Sequence, residues 1–257
     1  MASNNSQRKT ANRHRTSTTN QEIGIIIQRQ AFIRKRRSAM NPMKTQRQDI
    51  FSCYSHLFGA VAALAGGILL VYQARYCPSL VTVTTIYGLA TIFMLLSSAL
   101  YHAFKRAENQ TGFLRIIDHI AIFFMIAGTY TPLCYIYLEG YLKWGIIIAQ
   151  WVLVVAGFFL NIFYIKAPRV FITIVYLLMG WMAIIPLQQL FLAIPTFSMT
   201  LLILGGLAYS VGAIAYILKK PNPVPGFFGF HEIFHVFILL GASLHFIIIY
   251  LAVSNAC

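Results

Sequence analysis

The chain reads as an all-α integral membrane protein, a seven-helix transmembrane bundle with its N-terminus in the cytoplasm and its C-terminus outside. Three observations predict this. Of the 257 residues, 58% are hydrophobic and only 10% are charged, against roughly 25% charged residues in soluble domains. Seven apolar segments follow one another, each near the ~20 residues that cross a bilayer. The basic residues, finally, are distributed unevenly between the loops.

Residues 1–48 form a basic tail rich in Ser, Thr, Asn and Gln, with eleven Lys and Arg against the single acid Glu22. Residues 1–24 have almost nothing to bury and are expected to be disordered. The cluster Arg34-Lys35-Arg36-Arg37 behind Ile25-Ile26-Ile27 suits a solvated tail, or an element that docks on anionic headgroups. A basic tail can also mean nucleic-acid binding, but the cytoplasmic flank of a membrane protein accounts for it more simply, so no nucleic-acid partner is expected. No cleavable signal peptide is visible.

Residues 49–257 form the membrane domain. Its spans are expected at 51–72, 81–104, 116–138, 144–165, 170–190, 197–218 and 232–253. Short connections favour an up-and-down bundle, and open sheet edges cannot be satisfied in lipid. Gly66-Gly67, Gly128, Gly157 and Gly205-Gly206 allow close helix approach. An inside N-terminus puts Lys105, Arg106, Arg115, Lys166, Arg169, Lys219 and Lys220 on the cytoplasmic side, leaving only Arg75 and Lys143 opposite. That bias sets the orientation; the expected location is the plasma (inner) membrane. Cys53, Cys77, Cys134 and Cys257 show no C-x-x-C spacing and read as small apolar residues rather than a disulfide framework.

With this topology the polar residues of the spans gather at one depth. Span two ends with Ser98-Ala-Leu-Tyr-His102, span three opens on Asp118-His119, and span seven opens on His231-Glu-Ile-Phe-His235. At ~1.5 Å of rise per residue, all lie within two turns of the cytoplasmic boundary. Ionisable groups at membrane depth are costly and mark functional sites. His231 and His235 share a helix face, and with His102 they supply three nitrogen ligands, the donor set of an open catalytic Zn²⁺ site. Zinc brings the pKa of a bound water towards ~7. Asp118 is the candidate general base or water-orienting group, and Ser98, one turn from His102, could bond the aspartate or a developing oxyanion.

Each residue also has a plainer reading. Ser98 could bond its own helix backbone, His102 could be an interfacial histidine, and Asp118 could be a carboxylate favoured by the helix dipole. Their coincidence at one depth favours the site. His119 points about 100° away from Asp118 and reads as structural. His245 lies about 21 Å along the helix from His231 and reads as a hydrogen-bonded core histidine. His56 is at the correct depth and is a lesser candidate. His231-Glu232-x-x-His235 also matches the zinc-protease pattern, in which Glu is the base. However, the motif opens the last span, and a protease would leave Ser98, His102 and Asp118 unexplained. Glu232 is therefore read as non-catalytic.

These residues resemble the hemolysin III / PAQR (progestin and adipoQ receptor) family. The resemblance rests on Ser98-x-x-x-His102, Asp118-His119, Gly128-Thr-Tyr-Thr-Pro132, Tyr176-Leu-Leu-Met-Gly-Trp181 and His231-x-x-x-His235 followed by His245-Phe246, and it covers about residues 49–252. The short loops look like the bacterial hemolysin III branch. The resemblance implies seven spans, zinc on His102, His231 and His235, and Asp118 on a zinc-bound water with Ser98 beside it. Its receptor branch and the related alkaline ceramidases imply hydrolysis of lipid amides. The bacterial branch implies haemolytic pore formation or membrane-fluidity homeostasis. One departure is in the first span, where the family's Glu, Asn and Thr-His are replaced by Asp49, Ser52 and Ser55-His56. Asp keeps the charge, whereas Ser52 loses an amide. Glu232 sits where the family varies.

Three functions follow as expectations. The first is a zinc-dependent hydrolase of lipid amides or esters, with membrane lipids as its surroundings and a lipid amide as substrate. The second is a receptor or sensor in which zinc is structural, and the third is a pore-forming cytolysin. An intramembrane metalloprotease ranks last.

Overall fold

The computed structural model describes residues 42–105, 112–164 and 167–257, together with Gln30. Apart from Gln30, the tail of residues 1–41, together with Arg106 and Lys166 of the charge-bias argument, lies outside the described residues. The described residues fold as α1 (Pro42–Gln73), α2 (Pro78–Phe104), α3 (Phe113–Tyr137), α4 (Gly140–Phe163), α5 (Arg169–Gly180), α6 (Leu187–Ala193), α7 (Thr196–Leu218) and α8 (Phe230–Ala256). A 3₁₀ turn, Trp181–Ile184, follows α5. No named strand occurs among them; the sole β pairing is an isolated bridge between Val224 and Phe228. An all-α architecture satisfies its backbone within each helix, without water.

Six of these helices are long and apolar enough to cross a membrane. The fifth expected span, 170–190, is not one straight helix. Arg169–Ile184 and Leu187–Ala193 together pass the same test, but they are bent by 57°. The reason lies at Pro186, which has no N–H to give and cannot continue a regular helix. Backbone groups freed at such a break must find partners inside the protein. Gln150 Nε2 donates to Met179 O at 2.9 Å, Tyr130 Oη donates to Gly180 O at 2.6 Å, and Ala183 N–H donates to Tyr130 Oη at 2.8 Å. Two polar side chains from α3 and α4 thus hold the break in place.

Consecutive helices pack as neighbours, α2 along α3, α3 along α4, and α7 along α8. The turn from α3 to α4 is tight and puts Gly140 at φ +57°, a left-handed conformation that glycine adopts without a Cβ penalty. At Gly128 the limit is space. A Cβ there would lie 2.5 Å from Ala90 Cβ on α2, so this glycine sets how closely α2 and α3 approach. The main apolar cluster includes Leu70, Val83, Tyr87, Leu133, Ile248 and Val253, which joins α1, α2, α3 and α8 at the end opposite the histidines. A second cluster around Met94, Leu95, Ala121 and Ile238 lies nearer to them. Many apolar side chains are exposed, Phe58, Ile68, Phe163 and Leu192 among them. In water this would invite aggregation; here it is the surface that faces lipid.

The cysteines differ from the sequence reading. Cys77 and Cys257 form a disulfide across 180 residues, with their Cα atoms 6.3 Å apart, inside the usual range. Topology explains it, since the residue before α2 and the residue after α8 meet at one end of the bundle. Cys53 and Cys134 are free, and Cys134 is buried as a small apolar residue would be.

Candidate metal centre

The histidine site is built where the C-terminal turn of α2 meets the N-terminal turns of α8. His102 projects from the last turn of α2 and is 4% exposed. His231 and His235 are one turn apart on α8, so both reach the same side of that helix. The three Nε2 atoms converge: His231 Nε2 is 3.1 Å from His102 Nε2 and 3.2 Å from His235 Nε2. One ligand atom from each residue lies within 4.8 Å of the other two.

These separations can be tested against metal chemistry. Ligands at the usual Zn–N distance on a tetrahedral ion are ~3.3 Å apart, close to the two distances observed. The proton count leads to the same place. His102 Nδ1 lies 2.8 Å from Asp49 Oδ1, and a carboxylate can only accept, so Nδ1 carries the proton and Nε2 of neutral His102 is a lone pair. The contact with His102 then requires a proton on His231 Nε2. That single proton cannot also make the contact with His235 into a second ordinary hydrogen bond. Three imidazole nitrogens held this closely share a cation more readily than they share protons. The donor set, all imidazole, suits a transition metal such as zinc, copper, iron or nickel rather than magnesium or calcium.

The other expected site residues are distributed around this centre. Ser98 is on α2, one turn before His102, and is 4% exposed. Its neighbour Ser97 donates to Met94 O of its own helix; among the described contacts Ser98 makes no such bond. Asp118, near the start of α3, is half-buried, and its carboxylate is not among the groups that converge with the three imidazoles. His119 offers its backbone carbonyl to Tyr176 Oη at 2.9 Å, as a structural residue would. His245 lies apart from the site, its Nε2 3.3 Å from Leu202 O. The ring of His56 packs against that of His235 with centroids 3.9 Å apart and planes tilted by 34°, at the edge of the cluster and outside its donor set.

Glu232 is buried, 1% exposed, and is directed away from the three nitrogens. Its Oε2 accepts the Gly229 N–H at 2.8 Å and Gln48 Nε2 at 3.4 Å, while Oε1 accepts the Ser52 hydroxyl at 3.4 Å. The glutamate of the H-E-x-x-H pattern therefore works as the N-terminal cap of α8. Sequence reasoning left Glu232 and Asp49 without a place, although Asp49 sits at the same depth as the histidines. An acid at the mouth of a span, level with a histidine on the next one, was the available signal.

Beside the site lies an apolar cavity of about 120 Å³ between α3, α5, α7 and α8. Ile122, Met125, Tyr176, Leu177, Phe234 and Ile238 contribute to its walls. Phe234 belongs to both regions, its ring centroid 6.5 Å from that of His231.

Fold and site together define a multi-spanning α-helical membrane protein with a buried histidine cluster able to coordinate a metal ion. The family profile described as "Haemolysin-III related" matches residues 44–246, and the chain belongs to that family. It is 35% identical over 206 residues to the "Hemolysin-3 homolog" of Bacillus subtilis (strain 168), covering 79% of this chain and 93% of that protein. It is 33% identical over 202 residues to "Hemolysin-3" of Bacillus cereus, with 78% and 89% covered. It is also 26% identical over 226 residues to the human "Monocyte to macrophage differentiation factor", with 84% and 90% covered.

Proposed function

We propose that the protein is a zinc-dependent hydrolase of lipid amides or esters, working at the cytoplasmic boundary of the plasma (inner) membrane. The observation that carries this reading is the convergence of three Nε2 atoms at 3.1 and 3.2 Å with no fourth protein ligand among the described residues. Three protein nitrogens leave a coordination position for solvent or substrate, whereas structural zinc is usually closed by four protein ligands. Zinc bound there supplies a Lewis acid and an acidified water.

The remaining chemistry belongs to the chain. His102, His231 and His235 hold the ion, and burial of His102 and His235 limits bulk water. Asp118, near the start of α3, is the group to take the proton of the attacking water. The Ser98 hydroxyl, free of its own helix backbone, stabilises negative charge as it develops on the carbonyl oxygen. The apolar cavity behind Phe234 receives an acyl chain, which selects lipids over water-soluble amides. An inside N-terminus and seven crossings, with the bent α5–α6 pair as the fifth, put this machinery at the cytoplasmic face. The Cys77–Cys257 disulfide then lies on the outer side, the oxidising one for a plasma-membrane protein.

The test is turnover by purified, zinc-loaded protein on a panel of ceramides and other acyl lipids. Hydrolysis is expected, with Asp118→Asn abolishing it while the metal stays bound. An intact panel would remove the hydrolase reading.

One observation favours a second reading, in which zinc is structural and the protein is a receptor or sensor. The Asp118 carboxylate stands outside the converging group, so the cluster as built ties α2 to α8 without it. In that case Asp118→Asn is tolerated, while loss of any histidine loosens this end of the bundle. The cytolysin reading suggested by the relatives' names has less support. The hydroxyls of Thr84, Thr91, Thr129, Thr131 and Ser243 bond back to their own helices rather than offering a polar lining.

A further inference from the structure

A helix that supplies no ligand, α1, makes the closest polar contact to one. Asp49, at the cytoplasmic end of α1 in the orientation proposed above, places Oδ1 2.8 Å from His102 Nδ1, and Lys105 Nζ lies 2.8 Å from the same oxygen. We infer that Asp49 is a positioning residue of the histidine centre, acting through the His102 ring and not as a ligand. The inference rests on the metal-site reading.

Three features support it. The first is the face of the ring that Asp49 uses. It holds Nδ1, which leaves Nε2 as the lone pair directed at the other two histidines. A carboxylate on the far nitrogen fixes both the tautomer and the rotation of a ligating imidazole, and it makes the ligand more basic. The second is burial. The His102 side chain is 1% exposed and that of Asp49 12%, so little water is at hand to replace this acceptor. Lys105 balances the carboxylate, which lowers the cost of keeping the charge at this depth. The third is that α1 reaches the other ligand-bearing helix within the same turn. Gln48 and Ser52 approach the Glu232 carboxylate at 3.4 Å each, and Glu232 caps the first turn of α8, from which His231 and His235 project. Gln48, Asp49 and Ser52 thus address both halves of the site from one helix turn. The Asp49 contact is the shorter and charge-assisted one, and it carries the inference.

The experiment is zinc affinity of the purified full-length protein by competition with a chelator, with the Co²⁺-substituted absorption spectrum as a second readout. Asp49→Asn is nearly isosteric and removes only the charge; Asp49→Gln carries the same test if Asp49→Asn does not purify as a folded protein. Either is expected to weaken zinc binding ~10–100-fold and to alter the Co²⁺ bands, as loss of an outer carboxylate does at other zinc sites. Asp49→Glu, which keeps the carboxylate, is expected to restore most of the affinity. Wild-type affinity and an unchanged spectrum in Asp49→Asn overturn the inference and leave the metal site standing. So does an Asp49→Glu variant as weak as Asp49→Asn. A wild-type protein that binds neither ion overturns both.

Discussion

His102 and His231 lie 129 residues apart in sequence, yet their Nε2 atoms are 3.1 Å from each other. A proton on His231 Nε2 accounts for that contact, but the same proton cannot also serve His235 Nε2, a further 3.2 Å from His231, whereas a shared cation serves all three. The site is a junction of α2 and α8, and a metal bound there should contribute to stability. A ligand present at a thousand times its Kd adds about 4 kcal/mol to a folded state that alone binds it. Chelation of the purified protein should lower its Tm, and readdition of Zn²⁺ should restore it. Measurement is by thermal unfolding in detergent, with His231→Ala as the variant whose Tm no longer responds.

Glu232 gives a prediction that separates capping from catalysis. Removing its carboxylate in Glu232→Ala frees the Gly229 N–H, and the loss of an N-terminal cap costs about 1 kcal/mol. Glu232→Gln keeps an oxygen for that N–H and should retain both metal binding and most of the stability. A protease general base would behave otherwise, since its Gln variant would be inactive. Comparing Tm and metal content of the two variants decides the matter.

Asp118 and Ser98 were singled out from the sequence by depth, and the structure leaves them at that depth without bringing the Asp118 carboxylate into the converging group. The convergence of His102, His231 and His235 was legible because helical spacing and span topology together determine which ends meet. Six of the seven apolar segments were legible as single long helices too, because bilayer thickness sets their length. The break at Pro186 was not read, since 170–190 is apolar throughout and periodicity does not reveal a bend. The Cys77–Cys257 pair was hidden for a different reason. Nothing in local spacing links residues 180 apart, and the link emerges only when both ends of the bundle are placed. Asp49 was visible as an acid at a span's mouth and His102 as a histidine at the same depth, but their pairing depends on which helix faces pack together.

Gly128 tests the packing. With Ala90 Cβ only 2.5 Å from where its own Cβ would stand, Gly128→Ala forces α2 and α3 apart. Overpacking of this kind costs about 1–3 kcal/mol. A lower Tm with metal content preserved is the expected result, because the clash lies away from the histidines. An undiminished Tm would show that the two helices can yield at no cost.

The disulfide tests orientation. In membranes isolated under non-reducing conditions, Cys77 and Cys257 should resist a membrane-impermeant maleimide until an impermeant reductant is added from outside. Labelling by the same reagents only after the inner face is opened would reverse the assignment of the C-terminus to the outer side. A Cys257→Ser variant should leave Cys77 reactive without reduction.

The most direct measurement is the metal content of the purified protein set beside that of His235→Ala. One zinc per chain in the wild type, lost in the variant while the protein still purifies as a folded species, is the result expected of a centre built from His102, His231 and His235. A wild type free of stoichiometric metal after purification in zinc-supplemented buffer, or a variant that keeps its zinc, would contradict it.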